Sequence, residues 1–183
     1  MSLSERIQDF PLQRISTPLG QVAYRSAGTE GQPLWVLLHG IGSASGSWLA
    51  QLQAAQGLGV RILAWDAPGY GQSTPVQPDQ PKASDYAARL WAWLDALGSG
   101  PVHLVGHSLG CLMASAAAQA HPERVKHLWL LAPAAGYGLA DPQVRERKLH
   151  ERLDKLQSLG PAGMAAQRAS AMLSPAASAE HLA

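Results

Sequence analysis

Four short apolar runs, joined by stretches that Gly and Pro punctuate, constrain this chain more than any other feature. They are 34–38 (LWVLL), 60–65 (VRILAW), 102–105 (VHLV) and 125–131 (VKHLWLL). Each is short and mostly apolar rather than strictly alternating, which suits strands of a parallel sheet covered on both faces. Helices are expected between them. Tyr86, Leu90, Trp93, Leu94 and Leu97 recur at helical spacing, with Ser84 placed as N-cap and Gly98 as the stop. A shorter helix from near Ser47 should bury Trp48 and Leu52. Strand and helix in alternation call for right-handed crossovers and a doubly wound, mostly parallel α/β sheet with flanking helices. Two weaker runs, 13–15 and 22–24, flank the turn-like TPLG at 17–20 and predict an antiparallel hairpin entering that sheet.

After Asp141 the character changes, which divides the chain into a core, residues 1–139, and a helical segment, 140–183. Asp141 and Pro142 form an N-cap and first-turn pair, and Val144, Leu149, Leu153 and Leu156 make an apolar stripe. Gly160 and Pro161 end that helix. Its other face carries Arg145, Glu146, Arg147, Lys148, Glu151, Arg152, Asp154 and Lys155, a pattern expected of a solvated face laced with i,i+4 pairs. The sequence beyond Ala162 is Ala-rich and predicted helical.

Composition excludes several classes of function. With 46% apolar and 15% charged residues, the chain is too hydrophobic and too weakly charged for a disordered tail. Fourteen basic against thirteen acidic residues leave no positive field for nucleic acid or an anionic membrane. The single cysteine, Cys111, permits no internal disulfide and no cysteine-built zinc site. The first ten residues are charged where a signal peptide needs an apolar region, and no run approaches the roughly 18 apolar residues of a membrane span. A soluble, cytoplasmic protein is expected.

The residues that carry chemistry begin with Gly106-His107-Ser108-Leu109-Gly110, a match to G-x-S-x-G. The motif requires a strand before it and a helix after it. Residues 102–105 supply the strand, and 111–120 (CLMASAAAQA) supply a small-residue helix. The chain must reverse so sharply at Ser108 that side chains at 106 and 110 would collide with backbone. The turn lifts the Ser108 hydroxyl above the sheet, at the amino end of a helix whose dipole favours negative charge. Leu38-His39-Gly40-Ile41-Gly42 stands at the carboxyl end of another strand, where ligand sites of open α/β sheets lie, so it should face the same crevice. There the backbone N–H of Ile41 is placed to meet a developing oxyanion, with the N–H of Leu109 as its partner. The competing dinucleotide-binding reading fails on spacing, because Gly40, Gly42 and Gly46 are not G-x-G-x-x-G. Asp66-Ala67-Pro68-Gly69-Tyr70-Gly71-Gln72-Ser73 reads as a turn, with Asp66 bonding local amides.

LLHGIG at 37–42, DAPGYGQS at 66–73 and GHSLG at 106–110, in that order and spacing, resemble the α/β-hydrolase fold family. The nearest resemblance is to its branch of 3-oxoadipate enol-lactonases, haloperoxidase-like esterases and carbon–carbon bond hydrolases. It extends over residues 12–137, followed by what looks like the start of a helical cap. It implies a hydrolase of a carboxylic ester or enol-lactone, with Ser108 as nucleophile, Ile41 and Leu109 as oxyanion hole, and His39, Gly40, Gly42, Gly106, His107 and Gly110 forming the site loops. It implies neither metal nor cofactor, since hydrolysis through serine needs none. A serine at this position argues against the dehalogenases and epoxide hydrolases of the family, which attack through a carboxylate.

That resemblance also implies an acidic residue and then a histidine on loops beyond the cap. Of the 75 residues after Ser108, the last forty or so are spent on the cap-like helices, so general base and acid are expected to be absent from this chain. His39 and His107 belong to the motifs, and His103 and His127 to strands. His121 ends the helix after Ser108, about 18 Å away. His150 and His181 alone stay open. Three readings follow. The chain is the amino-terminal portion of a serine hydrolase, inactive when isolated; or a non-catalytic relative that binds a small ligand or protein; or one that a second polypeptide completes. Self-association through an exposed sheet edge is expected.

Overall fold

The computed structural model describes residues 3–77 and 79–171, which form two compact units, one ending at Ala135 and one that begins at Gly136. In the first unit a six-stranded sheet has the order β1-β2-β4-β3-β5-β6. The strands are β1 (Gln13–Thr17), β2 (Gly20–Ala27), β3 (Leu34–Leu38), β4 (Arg61–Trp65), β5 (Val102–His107) and β6 (Val125–Leu131). β1 and β2 are the expected hairpin, and β2 enters the sheet antiparallel to β4. The other pairs, β4 with β3, β3 with β5 and β5 with β6, are all parallel. The crossover helices are α2 (Leu49–Leu58), α3 (Ala83–Ala96) and α4 (Leu109–Ala120), after a short amino-terminal α1 (Leu3–Arg6).

The mostly apolar runs have a simple cause. Successive strand residues point to opposite faces, and a helix packs on each face. Val36, Leu38, Leu63, Trp65 and Leu104 join the side chains of α3 and α4, while Leu37, Ile62 and Val105 join Trp48 and Leu52 on the α2 side. Trp48 and Leu52 are buried as the sequence predicts.

Two local expectations are corrected. Ser84 is not the N-cap of α3. The helix starts at Ala83 with Lys82 at the N-cap position, and Asp85 reaches back to accept the Lys82 amide at 2.7 Å, so the first-turn carboxylate does the capping. The run 125–131 is not covered on both faces. β6 bonds only to β5 among the described residues, and Leu128, Trp129, Leu130 and Leu131 stay between 38% and 50% exposed. On the α2 side Trp35, Leu58, Val105, Trp129 and Leu131 line an open apolar trough of about 510 Å³.

The second unit is built on α5 (Pro142–Ala171). Asp141 caps it by accepting the Gln143 amide at 2.8 Å. Gly160, at φ 63° and ψ 175°, breaks it into two arms, and Pro161 opens the second. On the first arm Glu151 pairs with Lys148 at 2.7 Å and with Arg147 at 3.8 Å. No described helix is long and apolar enough to cross a membrane.

Candidate active site

β5 ends at His107 and α4 begins at Leu109, so Ser108 alone turns the chain from strand to helix. Its backbone sits at φ 51° and ψ −113°, a region that costs a residue with a Cβ on the order of 1–3 kcal/mol. The flanking glycines make the corner possible. A Cβ at Gly106 would lie 2.6 Å from the Gly110 carbonyl oxygen, and one at Gly110 would lie 2.2 Å from that of Leu38. Neither contact is sterically allowed. The corner is held from the end of β6 and the loop that follows it: the Ser108 amide donates to the Leu131 carbonyl at 3.0 Å, and the Ser108 carbonyl accepts from the Ala134 amide at 3.3 Å. Cys111, directly beneath, is buried and donates its thiol to the Gly106 carbonyl at 3.1 Å. Burial pushes that thiol up from its ordinary range, so it stays protonated.

The loop after β3 passes against this corner. A Cβ at Gly40 would lie 3.2 Å from Ser108 Cβ and 3.0 Å from His107 Nδ1, so any larger residue would crowd the approach. Gly42 takes φ 69° and turns the loop away. The structure therefore brings Gly40, His107 and Ser108 together. His39 fastens the loop from beneath. Its ring is buried; Nδ1 donates to the Gly40 carbonyl at 2.8 Å and Nε2 accepts from the Ala67 amide at 3.0 Å, which fixes the neutral tautomer. Burial holds its pKa below the ordinary value, against the opposing pull of the Gly40 bond and the nearby Asp66.

Asp66 does not bond the local amides expected of a turn residue. Its carboxylate accepts the Ser45 amide at 2.8 Å, tying the loop after β4 to the loop after β3. Ser73 completes the brace, donating its hydroxyl to the Asp66 carbonyl at 2.6 Å while accepting the Ala23 amide at 2.9 Å. Sequence reasoning also missed Arg89. It is 2% exposed, and its guanidinium donates to the Thr74 and Pro75 carbonyls at 3.2 and 3.4 Å. The signal was a charge inside the apolar stripe of α3, between Tyr86 and Leu90.

Among the described residues the Ser108 hydroxyl has no hydrogen-bond partner. His103 is not enclosed within its strand. It stacks on Trp35, and its Nδ1 lies 3.0 Å from that of His127 on the open trough side. His121 packs edge-on against Trp91 and bonds Glu123, while His150, in the second unit, bonds the Glu146 carbonyl. His181 lies outside the described residues. No group of three or more His, Cys, Asp or Glu side chains among the described residues is placed to hold a metal.

A strained serine between a parallel strand and a helix, faced by a glycine loop, is the site of a large fold family, and residues 33–172 match the sequence profile of the alpha/beta hydrolase fold. The chain belongs to the α/β-hydrolase family. This α/β-hydrolase is 38% identical over 120 residues to the 2-hydroxy-6-oxononadienedioate/2-hydroxy-6-oxononatrienedioate hydrolase of Burkholderia vietnamiensis, across 63% of this chain and 41% of that one. Among solved structures, a hydrolase from Pseudomonas aeruginosa superposes with TM-score 0.67 at 29% identity, over 80% of this chain and 53% of that one. An epoxide hydrolase from an endophytic Streptomyces gives 0.59 at 30% identity, over 66% and 36% of the respective chains. The chain spans about two fifths of the length of the curated relatives it matches.

Proposed function

We propose that this chain carries the nucleophile and oxyanion hole of a serine hydrolase acting on a carboxylic ester or enol-lactone. The observation that carries the reading is the left-handed corner at Ser108. Ser108 Oγ attacks the substrate carbonyl carbon, and its proton passes to a histidine base outside the described residues. The carbonyl oxygen takes the negative charge opposite the N–H groups of Ile41 and Leu109. Collapse expels the alcohol or enol oxygen, which takes up the proton, and water then hydrolyses the acyl-serine by the same route. The loops at His39, Gly40, Gly42, Gly106, His107 and Gly110 hold these groups in place, and α5 is the start of a cap. Composition and the lone Cys111 support a cytoplasmic setting and a small-molecule substrate.

In a serine hydrolase the loss of the histidine alone costs on the order of 10⁶ in turnover. The 183-residue chain on its own is therefore expected to turn over almost nothing. The unbonded Ser108 hydroxyl equally favours a second reading, a non-catalytic relative that binds a ligand or partner in the crevice. Fluorophosphonate labelling of the protein expressed from its complete reading frame separates the two. The hydrolase reading expects one tag, mapped to Ser108 and lost in Ser108→Ala; a folded protein that takes no tag is not a serine hydrolase.

A further inference from the structure

The break at Gly160 redirects α5, so that Met164 and Gln167 of the second arm line one groove with residues of the first. A groove of about 480 Å³ lies within this unit. Three cationic side chains line it: Lys148, Arg152 and Lys155, whose i, i+4, i+7 spacing puts them on one helix face. Its apolar lining is Tyr137, Leu159 and Met164.

The charges in the groove do not cancel. Glu151 is the lone carboxylate of the lining, and it is taken by Lys148 at 2.7 Å. The hydrogen bond from Lys148 is the first cause that holds Glu151 below the usual carboxylate range, with Arg147 and Lys155 adding to it through space. Among the described residues Arg152 and Lys155 form no ion pair. Arg145 and Arg147 do not line the groove, and Arg147 leans on Glu151. The volume falls within the range of small-molecule sites, about 300–1,000 Å³. Guanidinium and ammonium groups beside an apolar lining match a molecule with an anionic head and a short hydrocarbon body.

We propose that the groove between the arms of α5 binds a small soluble amphiphilic anion, with Arg152 and Lys155 on its carboxylate or phosphate head and Leu159 and Met164 against its apolar chain. The proposal is independent of the chemistry at Ser108 and is tested without it.

Octanoate, octyl phosphate and octanol are titrated into the full chain, with methyl NMR signals of Met164 and Leu159 and calorimetry as readouts. Saturable binding of one or both anions is expected, and octanol should bind at least about tenfold more weakly, the factor that one charge-assisted hydrogen bond contributes. The arms of the test identify the head, since Arg152 favours whichever anion accepts its fork in two bonds. The double variant Arg152→Gln, Lys155→Gln, whose exposed side chains leave the fold intact, should lose about tenfold in affinity. Arg145→Gln, off the groove, should change nothing. Equal binding of octanol and the anions, an affinity indifferent to the double variant, absence of saturation, or binding to anionic vesicles alone would each overturn the proposal.

Discussion

The amide of Ser108 donates to the carbonyl of Leu131 at 3.0 Å, and the residue after Leu131, Ala132, holds φ 46°. Ser108 and Ala132 are the two non-glycine residues with positive φ among those described. The two strained positions are therefore one device: the turn at Ala132 sets the Leu131 carbonyl on the Ser108 N–H and the Ala134 amide on the Ser108 carbonyl, so strain in the loop after β6 supports strain at the corner.

Strain of this kind is relieved by glycine. Ala132→Gly is expected to stabilise the chain by up to about 1 kcal/mol, the left-handed penalty of alanine less the extra unfolded-state freedom of glycine. Ser108→Gly should do the same while removing the hydroxyl, so the position gives up stability for the presentation of its side chain. Ala132→Val should destabilise. Thermal denaturation of the three variants decides the matter; a lower midpoint for both glycine variants would show that neither backbone is strained.

Gly110 meets backbone rather than a movable side chain. A methyl group there would stand 2.2 Å from the Leu38 carbonyl oxygen and must push α4 away from β3. Gly110→Ala is expected to cost about 3 kcal/mol or more, at the upper end for overpacking. Gly57→Ala, in α2, where a Cβ meets nothing within 4 Å, should instead stabilise by several tenths of a kcal/mol. Urea denaturation of the pair gives the comparison, and equal effects would remove the packing argument for Gly110.

Much of the fold was legible because its signals are local or periodic. The runs at 34–38 and 125–131 coincide with β3 and β6, and Gly98 ends α3 at φ 62°. What escaped was pairing between residues distant in sequence. Nothing in DAPGYGQS says that Asp66 will reach Ser45, and nothing in LAPAA says that Leu131 and Ala134 will clamp Ser108. An exposed sheet edge was expected, but that β6 would be the exposed strand escaped for the same reason: a strand's own residues say that it wants covering, not whether another segment covers it.

Protonation should expose the fastening role of His39. Its pKa in the folded chain is lowered by burial from 6.5. The unfolded chain therefore binds the proton first as pH falls, and the stability present above about pH 6.5 is lost between that value and the lower folded pKa. The slope there approaches 1.36 kcal/mol per pH unit for each such group at most. His103, also lowered by burial and then by the charge of His127 and Lys126, acts in the same direction. His39→Gln should be less stable at pH 8 and show a shallower, though not flat, decline toward pH 5. Chemical denaturation across that range is the check, and parallel curves for variant and parent would mean that His39 does not stay neutral in the fold.

The apolar side chains of β6 make an association prediction. Trp129 and Leu131 face the trough beside α2, Leu128 and Leu130 face the other way, and all four are more than a third exposed on a strand with a single described neighbour. Native edge strands carry charges, proline or bulges that block further pairing. β6 has Lys126 near its start and nothing comparable afterwards. The 183-residue chain is expected to self-associate with rising concentration, and Trp129→Lys, which puts a charge on the trough face at mid-strand, should shift the equilibrium toward monomer without unfolding the sheet. Sedimentation velocity across a concentration series, with circular dichroism to verify the fold, measures both. A parent chain that stays monomeric at every concentration would show that the exposed side chains of β6 do not drive association.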